Sequence, residues 1–95
     1  MELQEILEQI KAAFQSVIQE KNLHPTRLDI EWSPYKTVHI SMTAPEFSGK
    51  TTTERHRMIW LALEKKLPRK VLMHIAVFLL FTPEEDPELE KLQTA

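Results

Sequence analysis

The chain has 95 residues, enough for one domain with a modest core. Apolar residues make up 42% and charged residues 27%, a globular balance that argues against disorder, and a net charge of -2 lacks the global basic footprint of a nucleic-acid binder. The absence of Cys excludes disulfides, thiol catalysis and thiolate metal sites, and a single Gly excludes a glycine-rich phosphate loop.

No run reaches the ~18 apolar residues expected of a membrane span. The acidic start, Met1-Glu2-Leu3-Gln4-Glu5, lacks the basic and apolar pattern of a secretory signal, so the cytoplasm is the expected compartment.

Leu3, Ile6, Leu7, Ile10, Phe14, Val17 and Ile18 recur at helical spacing, which predicts an amphipathic helix over 3–18. The pair His24-Pro25 stops it. Leu28, Ile30 and Trp32 then alternate with Arg27, Asp29 and Glu31. After a short turn at 33–36, Val38, Ile40 and Met42 alternate with His39, Ser41 and Thr43. Two half-buried strands joined so closely predict an antiparallel hairpin.

Pro45 ends the second strand, and Phe47-Ser48-Gly49-Lys50 reads as a loop. Thr51 with Glu54 fits a capping box that opens a second helix. Its apolar face is Met58, Ile59, Ala62, Leu63 and Leu67, and Pro68 marks its end. The apolar run 71–81, broken only by His74, has the length and flanks of a strand. It is expected either at the sheet centre or at an edge that offers an apolar patch. Residues 84–95 form an acidic tail beyond a single domain of residues 1–83, and Glu84, Glu85 and Asp86 read as solvated. The expected architecture is α+β, in the order α-β-β-α-β. A three-stranded mixed sheet carries its helices on one face, and the last strand runs parallel to a hairpin strand.

The segment Phe47-Ser48-Gly49-Lys50, followed by Glu54-Arg55-His56-Arg57-Met58-Ile59-Trp60 and then Leu63, resembles the signature of the BolA-like family. The run Met73-His74-Ile75-Ala76, closing on Phe81-Thr82-Pro83-Glu84-Glu85, is similar to that family's last strand. The resemblance covers about Val38 to Glu85. It implies a fold like the type II KH domain. It also implies a monothiol glutaredoxin as partner, with a [2Fe–2S] cluster shared between the two proteins and glutathione, or a cluster-free complex. Some members are associated with DNA binding and transcriptional control.

On this resemblance His74 matches the family's iron-ligating histidine, and imidazole is a good iron ligand. The alternative is a core or interface histidine with satisfied hydrogen bonds. Many members place a second His or Cys near the first hairpin loop. Here that loop is only 33–36, the position before the second strand is Thr37, and His39 is the remaining candidate. His39 equally reads as an exposed strand residue, and His24 as a solvated turn residue.

Arg55, His56 and Arg57 open the second helix, where anions are favoured and arginines add bidentate donors. They are candidates for contact with a partner, glutathione or phosphate, or else a solvated first turn, with His56, three residues before Ile59, alternatively packed at the edge of the core. Lys65, Lys66, Arg69 and Lys70 suit a helix C-terminus, and offer backbone phosphate contacts under a nucleic-acid alternative. That alternative lacks a Gly-x-x-Gly loop. No nucleophile–base set is recognisable, so a non-enzymatic role is expected. Three readings follow: a glutaredoxin partner in iron–sulfur metabolism, a nucleic-acid-binding regulator, and a cofactor-free interaction domain that forms a homodimer through its last strand.

Overall fold

A computed structural model describes residues 3–86. The elements run α1 (Leu3–Glu20), β1 (Arg27–Trp32), β2 (Val38–Thr43), α2 (Thr52–Glu64), α3 (Arg69–Leu72) and β3 (Ile75–Phe81). One 3-10 turn, Pro45–Phe47, lies between β2 and α2. This is the expected α-β-β-α-β order with the short α3 added.

Helix α1 buries Ile6, Leu7, Ile10, Ala13, Phe14 and Val17, the stripe its spacing predicts. Its end is a Schellman arrangement with Asn22, at φ 53°, in the position glycine usually takes. The Leu23 amide donates to the Ile18 carbonyl at 2.9 Å, and the Asn22 amide to Gln19 at 3.3 Å. Leu23 itself is buried, which fixes the direction in which the chain leaves the helix.

Strands β1 and β2 form the antiparallel hairpin, with Ile30 opposite Ile40 and Trp32 opposite Val38. The Ser33 amide donates to Thr37 at 2.8 Å, and Lys36 takes φ 62° to close the turn. β2 is central in the order β1-β2-β3, and its Val38, Ile40 and Met42 are fully buried. Leu28, Ile30 and Trp32 of β1 and Phe78 of β3 pack against that core. The helices pack on this face. The opposite face carries a shallow open groove lined by residues such as Arg27, Glu31, His39, Val77 and Leu79.

Helix α2 begins as its capping box dictates. The Thr51 hydroxyl accepts from the Glu54 amide at 3.1 Å, and the Glu54 carboxylate accepts from the Thr51 amide at 3.0 Å. The bond to the Thr51 amide holds the Glu54 carboxyl below its ordinary range. Upstream, Gly49 at φ 79° completes the loop that leads into the cap.

The run 71–81 is not one strand. Val71 and Leu72 are buried in α3, Met73 and His74 form a turn, and pairing starts at Ile75. Pro68 is the cause: it closes α2 and caps α3, its carbonyl accepting from the Val71 amide at 3.0 Å. Of the two expected positions β3 takes the edge, parallel to β2, with Ile40 opposite Phe78 and Met42 opposite Leu80.

The solvated reading holds for exposed Glu84, is qualified for Glu85, which is exposed but paired, and is overturned for Asp86. Asp86 is fully buried. It accepts from Arg27 Nε at 2.8 Å, Arg27 Nη2 at 3.1 Å and the Thr43 hydroxyl at 2.5 Å. Its hydrogen bond raises the Arg27 guanidinium above its ordinary value, against the opposing effect of burial. Glu85 reaches Arg55 Nη1 at 2.6 Å and the Thr82 amide at 2.8 Å. Pairing to these inner donors outweighs the preference of a carboxylate for water. The rest of the tail, 87–95, lies outside the described residues.

Arg55, followed by the Thr82 amide, lowers the Glu85 carboxyl from 4.5 to about 2. A depressed carboxyl stabilises the fold above its unfolded value and loses that contribution as pH falls. Urea midpoints should therefore fall between about pH 4.5 and 2, and Glu85→Gln should make that slope shallower. An unchanged slope would show that the Arg55 pair does not couple to folding.

Candidate functional site

His74 sits one residue before β3, where the sheet meets the hairpin turn. Its carbonyl accepts from the Val38 amide at 2.6 Å, which ties the turn to the start of β2. Its Nδ1 lies 2.9 Å from the Lys70 carbonyl. A carbonyl only accepts, so Nδ1 carries the proton and the other ring nitrogen, Nε2, keeps its lone pair in neutral imidazole. The ring also meets Trp32 edge-on, with centroids 6.3 Å apart. His74 is half-buried, so it is held in one orientation without being sealed off.

The Arg-His-Arg triplet divides. Arg55 is only 7% exposed. Its Nε donates to the Phe47 carbonyl at 3.2 Å and its Nη1 to the Leu80 carbonyl at 3.1 Å, besides the Glu85 pair. This guanidinium joins the loop before α2, the strand β3 and the C-terminal turn, and does not open onto solvent. His56 packs edge-on against Phe78 at 5.1 Å, and Arg57 is exposed. The triplet is therefore one inward positioning residue, one edge residue and one surface cation, rather than a solvated first turn.

His39 is half-buried on β2, opposite Glu31 and Val77, on the outer sheet face. His24 pairs with Glu46, its Nδ1 at 3.0 Å and its amide donating at 2.9 Å. These two bonds, the amide first, hold the Glu46 carboxyl below its ordinary range. Among the described residues no three His, Asp or Glu side chains converge as a metal site. A metal centre on this chain would draw most of its ligands from a partner.

The basic group also divides. Lys66 reaches back to Glu20 at 2.5 Å and lowers that carboxyl, while Lys65, Arg69 and Lys70 are exposed. Trp60 reads from the sequence as a core or interface aromatic, and the geometry brings forward beside it two residues absent from the sequence candidates, Leu61 and Met73. Leu61 is 51% and Met73 74% exposed, and Trp60 lies against Phe78 at 5.9 Å. A signal existed, because the buried face of α2 is Arg55, Ile59 and Leu63, which leaves Trp60 and Leu61 off the apolar period. No helix among the described residues is long and apolar enough to cross a membrane. No known protein family, curated protein or solved structure matches this chain.

Proposed function

We propose that the chain is a BolA-like partner protein of monothiol glutaredoxins in iron–sulfur cluster assembly, trafficking or iron regulation. In this reading His74 Nε2 is the single ligand it lends to a shared [2Fe–2S] cluster, and the partner and glutathione supply sulfur. The observation that carries the reading is the state of His74. Its Nδ1 is committed to the Lys70 carbonyl at 2.9 Å, the kind of backbone bond that orients ligand histidines and raises their basicity. The donor set fits such a group only in part, since His74 is the one of the chain's four histidines assigned to it and cysteine is absent. When bound, the cluster supplies electron-transfer chemistry, and an imidazole in place of thiolate raises its potential.

The chain's own residues do the rest. Lys70 and Trp32 fix the imidazole plane. Met73 and the hairpin turn 33–36 form the rim on which a partner rests, and exposed Arg57 on α2 offers a further partner contact. Arg55 acts at one remove by holding α2 against β3.

The test is anaerobic reconstitution with a monothiol glutaredoxin and glutathione, read by visible circular dichroism. A spectrum distinct from the glutaredoxin homodimer is expected. His74→Ala should abolish it, or weaken cluster retention by about tenfold or more. Because the ring is partly exposed, the variant should keep its far-ultraviolet spectrum. Persistence of the homodimer spectrum with the parent protein, or an identical shared spectrum with His74→Ala, would overturn the assignment.

A further inference from the structure

Two hollows flank Trp60 on the exposed side of α2. The larger, about 510 Å3, has Leu67 and Leu72 in its wall with Glu64, Arg69 and Met73 at its sides. The smaller, about 390 Å3, lies between Trp60, Leu61, His56 and Arg57. Trp60 lines both, so the two hollows adjoin across its ring. Leu61 and Met73 are among the most exposed large apolar side chains of the described residues.

Charge decides what fits there. Arg57 and Arg69 line the groove, and Lys65 and Lys70 lie on the same helices or the turn between them. All four are exposed, and none makes an ion pair among the described residues. The inward cations Arg27, Arg55 and Lys66 all have carboxylate partners. An apolar ridge framed by exposed cations that no carboxylate meets at ion-pair distance is complementary to an acidic surface that carries apolar anchors. A nucleic-acid strand fits less well. Leu67 and Leu72 in the larger hollow offer a sugar–phosphate backbone no hydrogen bond. A helix laid along a groove places anchors about one or two turns apart, which suits one on each side of Trp60.

We propose that α2 and α3 form a docking groove for a short acidic amphipathic helix of a partner protein, with apolar side chains seated on either side of Trp60. The lining of the groove includes Met73 but not His74. The interaction therefore holds whether or not a cluster is shared.

The probe is a fluorescein-labelled peptide of about 14 residues, with leucines at i, i+4 and i+7 and glutamates at most other positions. Its control replaces the glutamates with lysines. Fluorescence anisotropy should show saturable binding of the glutamate peptide, weakened by salt. The lysine peptide should bind about tenfold or more weaker, and Arg69→Glu and Leu61→Ser should each cost the glutamate peptide about tenfold. His74→Ala should leave peptide binding unchanged, which separates failure of the groove from failure of the iron ligand. Equal binding of both peptides, no saturation with the glutamate peptide, or indifference to Arg69→Glu would each overturn the proposal. So would tighter binding of single-stranded DNA, or of phosphatidylcholine vesicles containing phosphatidylserine.

Discussion

Asp86→Ala should lower the unfolding free energy by about 3 kcal/mol, the lower end of the ~3–5 kcal/mol lost when a buried ion pair is broken on one side. The lower end is expected because Arg27 is 23% exposed and keeps Asp29 and Ser41 as partners. The Thr43 hydroxyl has no such recourse. It is fully buried, and the Asp86 carboxylate accepts its hydrogen bond at 2.5 Å. A domain of this size holds roughly 5–14 kcal/mol in total, so the loss is a large fraction. It corresponds to a fall in Tm of about 12 to 24 °C. Urea denaturation with an unchanged slope is the measurement. A midpoint within error of the parent would show that the C-terminal turn contributes nothing to the fold. Asp86→Asn is the informative companion, because it keeps the shape and hydrogen-bonding oxygen but not the charge.

Phe14→Ala should cost about 3–5 kcal/mol, through lost transfer energy and the cavity left behind. Phe14 is fully buried in α1 and meets Phe78 edge-on, with centroids 6.0 Å apart at 63°. Phe78 in turn carries His56 and Trp60 on its other contacts. The cavity therefore opens beneath the rings that border the docking groove. Thermal unfolding should show the stability loss, and Phe14→Leu should recover most of it because little volume is removed. If Phe14→Ala unfolds with the parent's midpoint, the core does not rest on this ring stack.

The helix and strand periods were legible because each has one wet face. Ile30 and Trp32 alternate against exposed Asp29 and Glu31, and α1 shows its stripe unbroken. The boundary of β3 was not legible. Val71 and Leu72 are as apolar as the strand that follows, and only the geometry set by Pro68 shows that they turn within a helix. Asp86 was misread for a related reason. An acid in an acidic run between prolines looks solvated until the fold brings Arg27 to it from 59 positions away. Arg55 and Arg57 belong to one short motif yet face opposite ways, because two residues on a helix subtend about 200°. His74 was recognised as a candidate from the sequence, but its tie to Lys70 depends on α3, which no periodicity announced.

The bond from Arg55 to the Leu80 carbonyl also bears on solubility. β3 is seven apolar residues without a charge or proline, placed at the margin of the sheet. Such a strand is a template on which further copies polymerise edge to edge. The Phe81 carbonyl is engaged with Ala44, so the Leu80 carbonyl, one residue earlier, points away from the sheet. Arg55 stops that outward carbonyl with a charged group, itself anchored by Phe47 and Glu85, that an incoming strand would have to displace. The residue that joins α2 to the sheet is thus also a gatekeeper, and losing it would surface first as aggregation on expression rather than as a lost activity.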